Sequence, residues 1–119
     1  MLAFGRYNHP TTKIQSLTGN LDGHYQIGLE GIISEAGDGK CDHLILNCSA
    51  LTGLDLGGVG QLYTWYFNLK ANQVQLSIVS PPSFVREALE AAHLTDLIPI
   101  FRSVPEAMLN RLSAPTSSG

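Results

Sequence analysis

The sequence has 119 residues, enough for one hydrophobic core but not for two, so we expect a single domain. Apolar residues make up 44% of the chain and charged residues only 14%, a composition that argues against disorder over most of its length. The net charge of −3 provides no basic surface, which argues against nucleic acid as a partner.

Strands and helices are predicted to alternate along the chain. The predicted strands are residues 1–7, 11–18, 43–48, 73–80 and 97–101, and the predicted helices are residues 24–36, 56–70, 84–93 and 106–112. Asp22, Asp55 and Ser83 are candidate helix caps, and Pro105 suits the first turn of the last helix. The order β-β-α-β-α-β-α-β-α predicts an α/β fold with parallel strand pairs and right-handed crossovers. We expect one domain over residues 1–112 and a flexible tail over residues 113–119.

The most informative stretch is the turn over residues 51–60, between a buried strand and a helix. A carboxylate at Asp55 would accept hydrogen bonds from the first amides of the helix and meet the positive end of its dipole. Gly57, Gly58 and Gly60 leave the first turn bare, at a cost of about 1 kcal/mol each relative to Ala. Two explanations stay open: close packing against neighbouring strands, or a flat surface for a protein partner or an anion.

Residues that support catalysis or bind metals are scattered. The four histidines lie in separate elements without a ligand partner at helical spacing, and neither a G-x-S-x-G nor an H-E-x-x-H motif occurs. Cys41 and Cys48 would be roughly 23 Å apart in an extended strand, too far for a disulfide, which indicates a reducing compartment. We therefore expect no enzymatic activity, no metal and no cofactor.

The predicted location is the cytoplasm, without direct insertion into a membrane. No segment has the shape of a signal peptide, and no apolar run approaches the length of a membrane-spanning helix.

The helix after the turn carries an unusual number of aromatic residues. Its predicted buried face contains Val59, Leu62, Tyr63 and Tyr66. At about 100° per residue, Trp65 and Phe67 then fall on opposite shoulders of that face. They either complete the core or present an aromatic anchor to a partner, since aromatic residues are enriched at interface centres.

Four segments in order resemble the STAS domain family, found in bacterial anti-sigma factor antagonists and in the cytoplasmic tails of sulfate transporters. Residues 18–22 (Thr-Gly-Asn-Leu-Asp) are similar to the family's T/S-G-E-L-D turn, and residues 51–60 to its V-T-x-I-D-S-S-G-L-G turn. Residues 80–89 resemble its S-P-x-V-x-x-x-L helix start, and residues 93–101 its G-L-x-x-L-F-x-I-F segment. The resemblance, roughly from Thr12 to Leu112, implies a mixed sheet of four or five strands with about four flanking helices.

The resemblance implies a regulatory protein-binding module. In the family's antagonists, an anti-sigma factor kinase binds around the D-S-S-G turn and its helix and phosphorylates the serine after the aspartate. Here Leu56 and Gly57 occupy the two serine positions, so we expect docking without that phosphorylation switch. Thr52 and Ser49 carry the nearest hydroxyls, which are better explained as hydrogen-bonding groups at the strand end. The residues predicted to bind the partner are Asp22, Thr52, Asp55, Leu56, Gly57, Gly58, Gly60 and Trp65.

Two other functions stay open. Some stand-alone members of the family are accessory subunits of membrane complexes that transport lipids, and the bare helix start would also suit a sensor of an anion or small ligand. The expected partner is an anti-sigma factor or a kinase-like protein, and homodimerisation is left open.

Overall fold

The structure is a computed structural model that describes residues 11–110. The predicted first strand (residues 1–7) and the predicted tail (residues 113–119) lie outside the described residues.

Within residues 11–110, four parallel strands form one sheet in the order in which they occur in the chain. The strands are β1 (Thr12–Leu21), β2 (His43–Leu54), β3 (Gln75–Val79) and β4 (Ile100–Phe101). The helices are α1 (Leu29–Gly37), α2 (Leu56–Ala71), α3 (Ser83–Ala91) and α4 (residues 104–110), with a 3₁₀ turn at Leu94–Asp96. Every described strand pair is parallel, as the alternation of strands and helices predicts.

The two faces of the sheet bury different amounts of apolar surface. Leu44 and Leu46 point to the larger core, which also contains Leu62 and Trp65 of α2. Ile45 points to the opposite face, because side chains alternate along a strand. There it packs with Val79 of β3 and Ala107 of α4, next to Phe101, Val104 and Met108. The larger core therefore fixes α1, α2 and α3, and the smaller one fixes α4.

The stretch before α1 is a turn, and the predicted helix start at residue 24 is wrong. The helix begins at Leu29, after Gly28, with no side-chain cap. Asp22 does not cap it, because its carboxylate accepts a hydrogen bond from the His24 amide at 2.9 Å and its carbonyl accepts one from Tyr25 at 3.2 Å. The Tyr25 hydroxyl in turn accepts a hydrogen bond from the Thr18 amide at 2.8 Å, which stabilises the non-helical path.

The central strand β2 continues to Leu54, beyond the predicted end at Cys48. Residues 50–54 stay paired with residues 18–21 of β1, and two register shifts accommodate the extra residues. The first four residues of the predicted turn are therefore strand.

The starts of the last two helices give one wrong and one correct prediction. Ser83 is the first residue of α3, not its cap; the cap position is Pro82, which has no side-chain hydrogen bond to offer. Pro105 lies in the first turn of α4, as predicted. The Ser103 hydroxyl accepts a hydrogen bond from the Glu106 amide at 3.3 Å, and Glu106 Oε1 accepts one from the Arg102 amide at 2.7 Å.

A candidate docking surface at the start of α2

The ends of β1 and β2 bring two distant sequence motifs together. Asn20 pairs with Gly53 and Leu21 with Leu54 in the parallel register. The Asp55 amide extends the contact by donating a hydrogen bond to the Leu21 carbonyl at 3.3 Å. The turn after β1 and the start of α2 therefore form one continuous surface.

Asp55 is the N-cap of α2, as the sequence predicts. Its backbone is extended, and Oδ1 accepts a hydrogen bond from the Gly58 amide at 2.9 Å. The carboxylate thus satisfies one of the unpaired amides of the first turn and lies at the positive end of the helix dipole. Because a fixed negative group already occupies this end, the helix start is less suited to an external anion.

Close packing explains two of the three glycines in the first turn. A Cβ on Gly58 would overlap the Leu21 carbonyl oxygen, and a Cβ on Gly57 would lie 2.7 Å from the Gly23 amide nitrogen. A Cβ on Gly60, in contrast, would meet no atom within 4 Å. Gly57 and Gly58 therefore let the helix start lie directly against the turn after β1, whereas packing gives no reason for Gly60.

Leu56 is the most exposed large apolar residue at this surface. It is the first residue of α2, and 89% of it is accessible to solvent. The cap on one side and the packed Gly57 and Gly58 on the other hold its backbone in a fixed position. Together with the apolar groove beside it, this exposed side chain makes the start of α2 a candidate interaction site.

An apolar groove runs from Leu56 to the end of α3, and we call it the α2–α3 groove. Its volume is about 480 Å³. It is lined by Leu54, Asp55, Leu56, Val59, Ala88, Ala91 and Ala92. The Tyr63 hydroxyl donates a hydrogen bond to the Ala92 carbonyl at 2.6 Å and so ties α2 to the end of α3. The three alanines of the groove, Ala88, Ala91 and Ala92, were not among the residues predicted to bind the partner.

The structure contradicts the assignment of Trp65 as a residue that contacts a partner. Trp65 is only 3% exposed and packs edge-to-face on Tyr25, with the ring centres 6.3 Å apart. The fully buried residues of α2 are Gly58, Leu62, Trp65 and Leu69. Of the predicted face only Leu62 is among them, while Val59, Tyr63 and Tyr66 are half-buried at the edge of the same core. The spacing of four, three and four between the fully buried residues was present in the sequence, but it is recognised only when a glycine is counted as a core residue.

The other predicted partner-binding residues lie at or beside the start of α2. Asp55, Leu56, Gly57, Gly58 and Gly60 belong to it directly. Thr52 is exposed near the end of β2, and Asp22 follows β1 immediately. Their predicted role in binding remains a prediction.

The two thiols lie apart from this surface and are poor nucleophiles. Both are free and buried. Burial raises the pKa of Cys48 to about 12 and also raises the pKa of Cys41. Among residues 11–110, no group of three or more His, Cys, Asp and Glu side chains is arranged to hold a metal ion. The helices of the same part of the chain include none that is long and apolar enough to cross a membrane.

A comparison with known protein families identifies the family of this chain. A model of the STAS domain matches residues 6–107. The chain belongs to the STAS domain family. The predicted STAS-like α/β fold is thereby confirmed, although no curated protein matches the chain.

Solved structures with the same fold come from different biological settings. The STAS domain of a SulP transporter from Vibrio cholerae has a TM-score of 0.70 at 15% identity, over 98% of this chain and 97% of that one. The unphosphorylated anti-sigma factor antagonist SpoIIAA has a TM-score of 0.60 at 20% identity, over 87% of this chain and 90% of that one. A putative anti-sigma factor antagonist from Thermotoga maritima has a TM-score of 0.61 at 18% identity, over 82% and 80%. At these identities the likeness concerns the fold.

Proposed function

We propose that this STAS domain is a non-enzymatic regulatory module that docks on an anti-sigma factor or a kinase-like protein in the cytoplasm. The docking surface consists of residues 55–60, the turn and first helical residues at the start of α2. The observation that carries this proposal is the exposure of Leu56, 89% accessible on a backbone fixed by the Asp55 cap and two packed glycines. A preorganised apolar residue loses little entropy when a partner covers it.

Docking at this surface does not depend on phosphorylation of the start of α2. Leu56 and Gly57 occupy the positions of the family's serines, and neither has a hydroxyl group. A phosphate would add a charge of about −1.5 to −2 there and disrupt an apolar contact. Leucine at this position keeps the start of α2 permanently unphosphorylated.

The fold shared with SpoIIAA and with the Thermotoga maritima protein supports an antagonist-like role. The fold shared with the SulP transporter domain supports a second candidate, an accessory subunit of a membrane transport complex. A sensor of anions at the start of α2 is less favoured, because the Asp55 carboxylate already accepts the Gly58 amide hydrogen bond.

Affinity capture from the native cell lysate, followed by mass spectrometry, tests the proposal. Wild-type protein is compared with Leu56→Asp and with the control Leu109→Asp. Leu109 is 67% exposed and lies on α4, which covers the other face of the sheet. We expect the wild type and the control to retain an anti-sigma factor or kinase-like ATPase, and Leu56→Asp to lose it.

Two results would contradict the proposal. If Leu56→Asp retains the same partner with unchanged affinity, the docking surface lies elsewhere. If only transport subunits are recovered, the accessory-subunit function replaces it. Circular dichroism of all three proteins checks that a loss of binding is not a loss of fold.

A further inference from the structure

We propose that the α2–α3 groove receives an amphipathic helix of the partner protein whose apolar residues are flanked by lysine and arginine. This inference rests on the proposed docking function and specifies the chemistry of the partner. Three features support it: the apolar lining of the groove, the small side chains of one wall, and the sign of the charge at its rim.

The shape of the groove suits a helix better than an isolated side chain. One wall presents Leu56 and Val59, and the other presents Ala88, Ala91 and Ala92. The alanines leave room for a backbone to approach, as in other grooves that bind helices. Phe84 precedes Ala88 by about one helical turn and is 42% exposed, so it extends the apolar wall along α3.

Carboxylates dominate the rim of the groove. Asp55 lines it directly. Glu87 is exposed and lies four residues before Ala91, on the flank of the same helical face. The cation of α3, Arg86, lies on the opposite side of the helix from the groove alanines.

The lysines of the described chain do not offset this charge. Lys13, near the start of β1, forms an ion pair with Glu35 of α1 at 2.7 Å. Lys70 lies over the Tyr66 ring, 5.7 Å from its centre, at the other end of α2. Lys40 precedes β2, away from the strand ends that carry the groove. The charged side chains placed at the groove, Asp55 and Glu87, are thus both acidic.

A negative rim around an apolar groove selects among helices by charge. Lysine and arginine flanking the apolar face would accelerate encounter and fix the register of the bound helix. Acidic helices and anionic lipid surfaces would be repelled, because like charges would meet as water leaves the interface. Charge thus distinguishes the proposed partner from a membrane surface.

Two model peptides test the inference on the full-length ¹⁵N-labelled protein. Each has about 16 residues, or more than four helical turns, with leucines at positions i, i+3, i+4 and i+7. The remaining positions are lysine in one peptide and glutamate in the other. We expect the lysine peptide to shift the amide signals of residues 54–59 and 84–92, and the glutamate peptide to leave them unchanged.

Variants with matched charge changes separate local from overall electrostatics. Glu87→Lys should weaken binding of the lysine peptide roughly tenfold at about 0.05 M salt and far less at about 0.5 M. Glu30→Lys makes the same change in net charge on α1. The affinity of this variant for the lysine peptide should stay within about twofold of that of the wild type. Ala91→Trp fills the groove and should weaken binding at least roughly tenfold at both salt concentrations.

Several results would overturn the inference. The inference is wrong if both peptides bind equally, or if the lysine peptide shifts only amide signals outside residues 54–59 and 84–92. It is also wrong if Glu87→Lys and Glu30→Lys weaken peptide binding equally, or if phosphatidylglycerol vesicles bind through the groove. Failure of the inference is distinguishable from failure of the proposed function. If the captured partner is lost with Leu56→Asp but unaffected by Glu87→Lys and Ala91→Trp, docking at Leu56 stands and the basic helix is wrong.

Discussion

The two ends of α2 both expose a large apolar side chain, yet their surroundings differ. At the first residue, Leu56 is 89% exposed beside the capping carboxylate of Asp55. Three turns later, Phe67 is 57% exposed, but its ring stacks on Tyr63 at 6.2 Å and meets Tyr66 edge-on at 5.1 Å. Exposure alone therefore does not identify a docking residue. The start of α2 combines exposure with a fixed backbone and an adjoining groove, whereas Phe67 is stabilised by its own neighbours.

The largest expected effect tests the fixed backbone at the start of α2. Gly58→Ala should destabilise the fold by about 3 kcal/mol, because its Cβ would overlap the Leu21 carbonyl oxygen. Gly60→Ala is the matched control and should stabilise the protein by up to about 1 kcal/mol, since nothing lies within 4 Å and alanine favours a helix. Urea denaturation measures both. Equal stability of the two variants would show that α2 does not need to pack closely against the turn after β1.

The next effect compares the two exposed residues directly. Leu56→Asp should weaken binding of the captured partner by about 2 kcal/mol, roughly thirtyfold, without lowering the melting temperature. Phe67→Asp should change the affinity by less than about 0.5 kcal/mol, although loss of its aromatic contacts should lower stability. Isothermal titration calorimetry with the purified partner gives both values. A greater loss of affinity with Phe67→Asp would move the docking surface to the other end of α2.

A third prediction separates the cap of α2 from its charge. Asp55→Ala should lower stability by about 1 kcal/mol, because the Gly58 amide loses its hydrogen bond. Asp55→Asn keeps an accepting oxygen and should lower stability by much less. If the rim charge contributes to docking, Asp55→Asn should nevertheless slow partner association at low salt, which stopped-flow fluorescence measures. Identical association rates at all salt concentrations would leave Asp55 with a structural role alone.

The smallest expected effect concerns the far end of the helix. Lys70→Ala should reduce stability by about 0.5 kcal/mol, because it removes the cation over the Tyr66 ring. Partner affinity should stay the same, since this contact lies away from the start of α2. A clear loss of affinity would contradict the distinction drawn between the two ends.

The sequence predicted those features that depend on neighbouring residues. The Asp55 cap follows from an acidic residue placed just before an apolar helix, and the alternation of strands and helices follows from hydrophobic spacing. The predicted cap at Asp22 was wrong because Tyr25 packs on Trp65 and keeps the following residues out of the helix. This contact joins two distant segments, so local patterns could not indicate it.

The groove was not predictable from the sequence for a related reason. Its alanines belong to α3, whereas Leu56 and Val59 belong to α2, and their contact depends on how the two helices pack. The end of β2 was likewise determined by pairing with β1 rather than by apolar spacing. Partner-binding residues in a domain of this kind are therefore found partly by motif and partly by three-dimensional packing.

The parallel pairing of β1 with β2 also determines when this surface can exist during synthesis. The Leu21 carbonyl comes from an early part of the chain, Gly58 from its middle, and Ala91 from a segment made later still. A nascent chain that ends before α3 has emerged from the ribosome lacks one wall of the groove. Since small domains fold as units, partner recognition and completion of the domain should arise together. The partner would then select finished molecules and ignore incomplete ones.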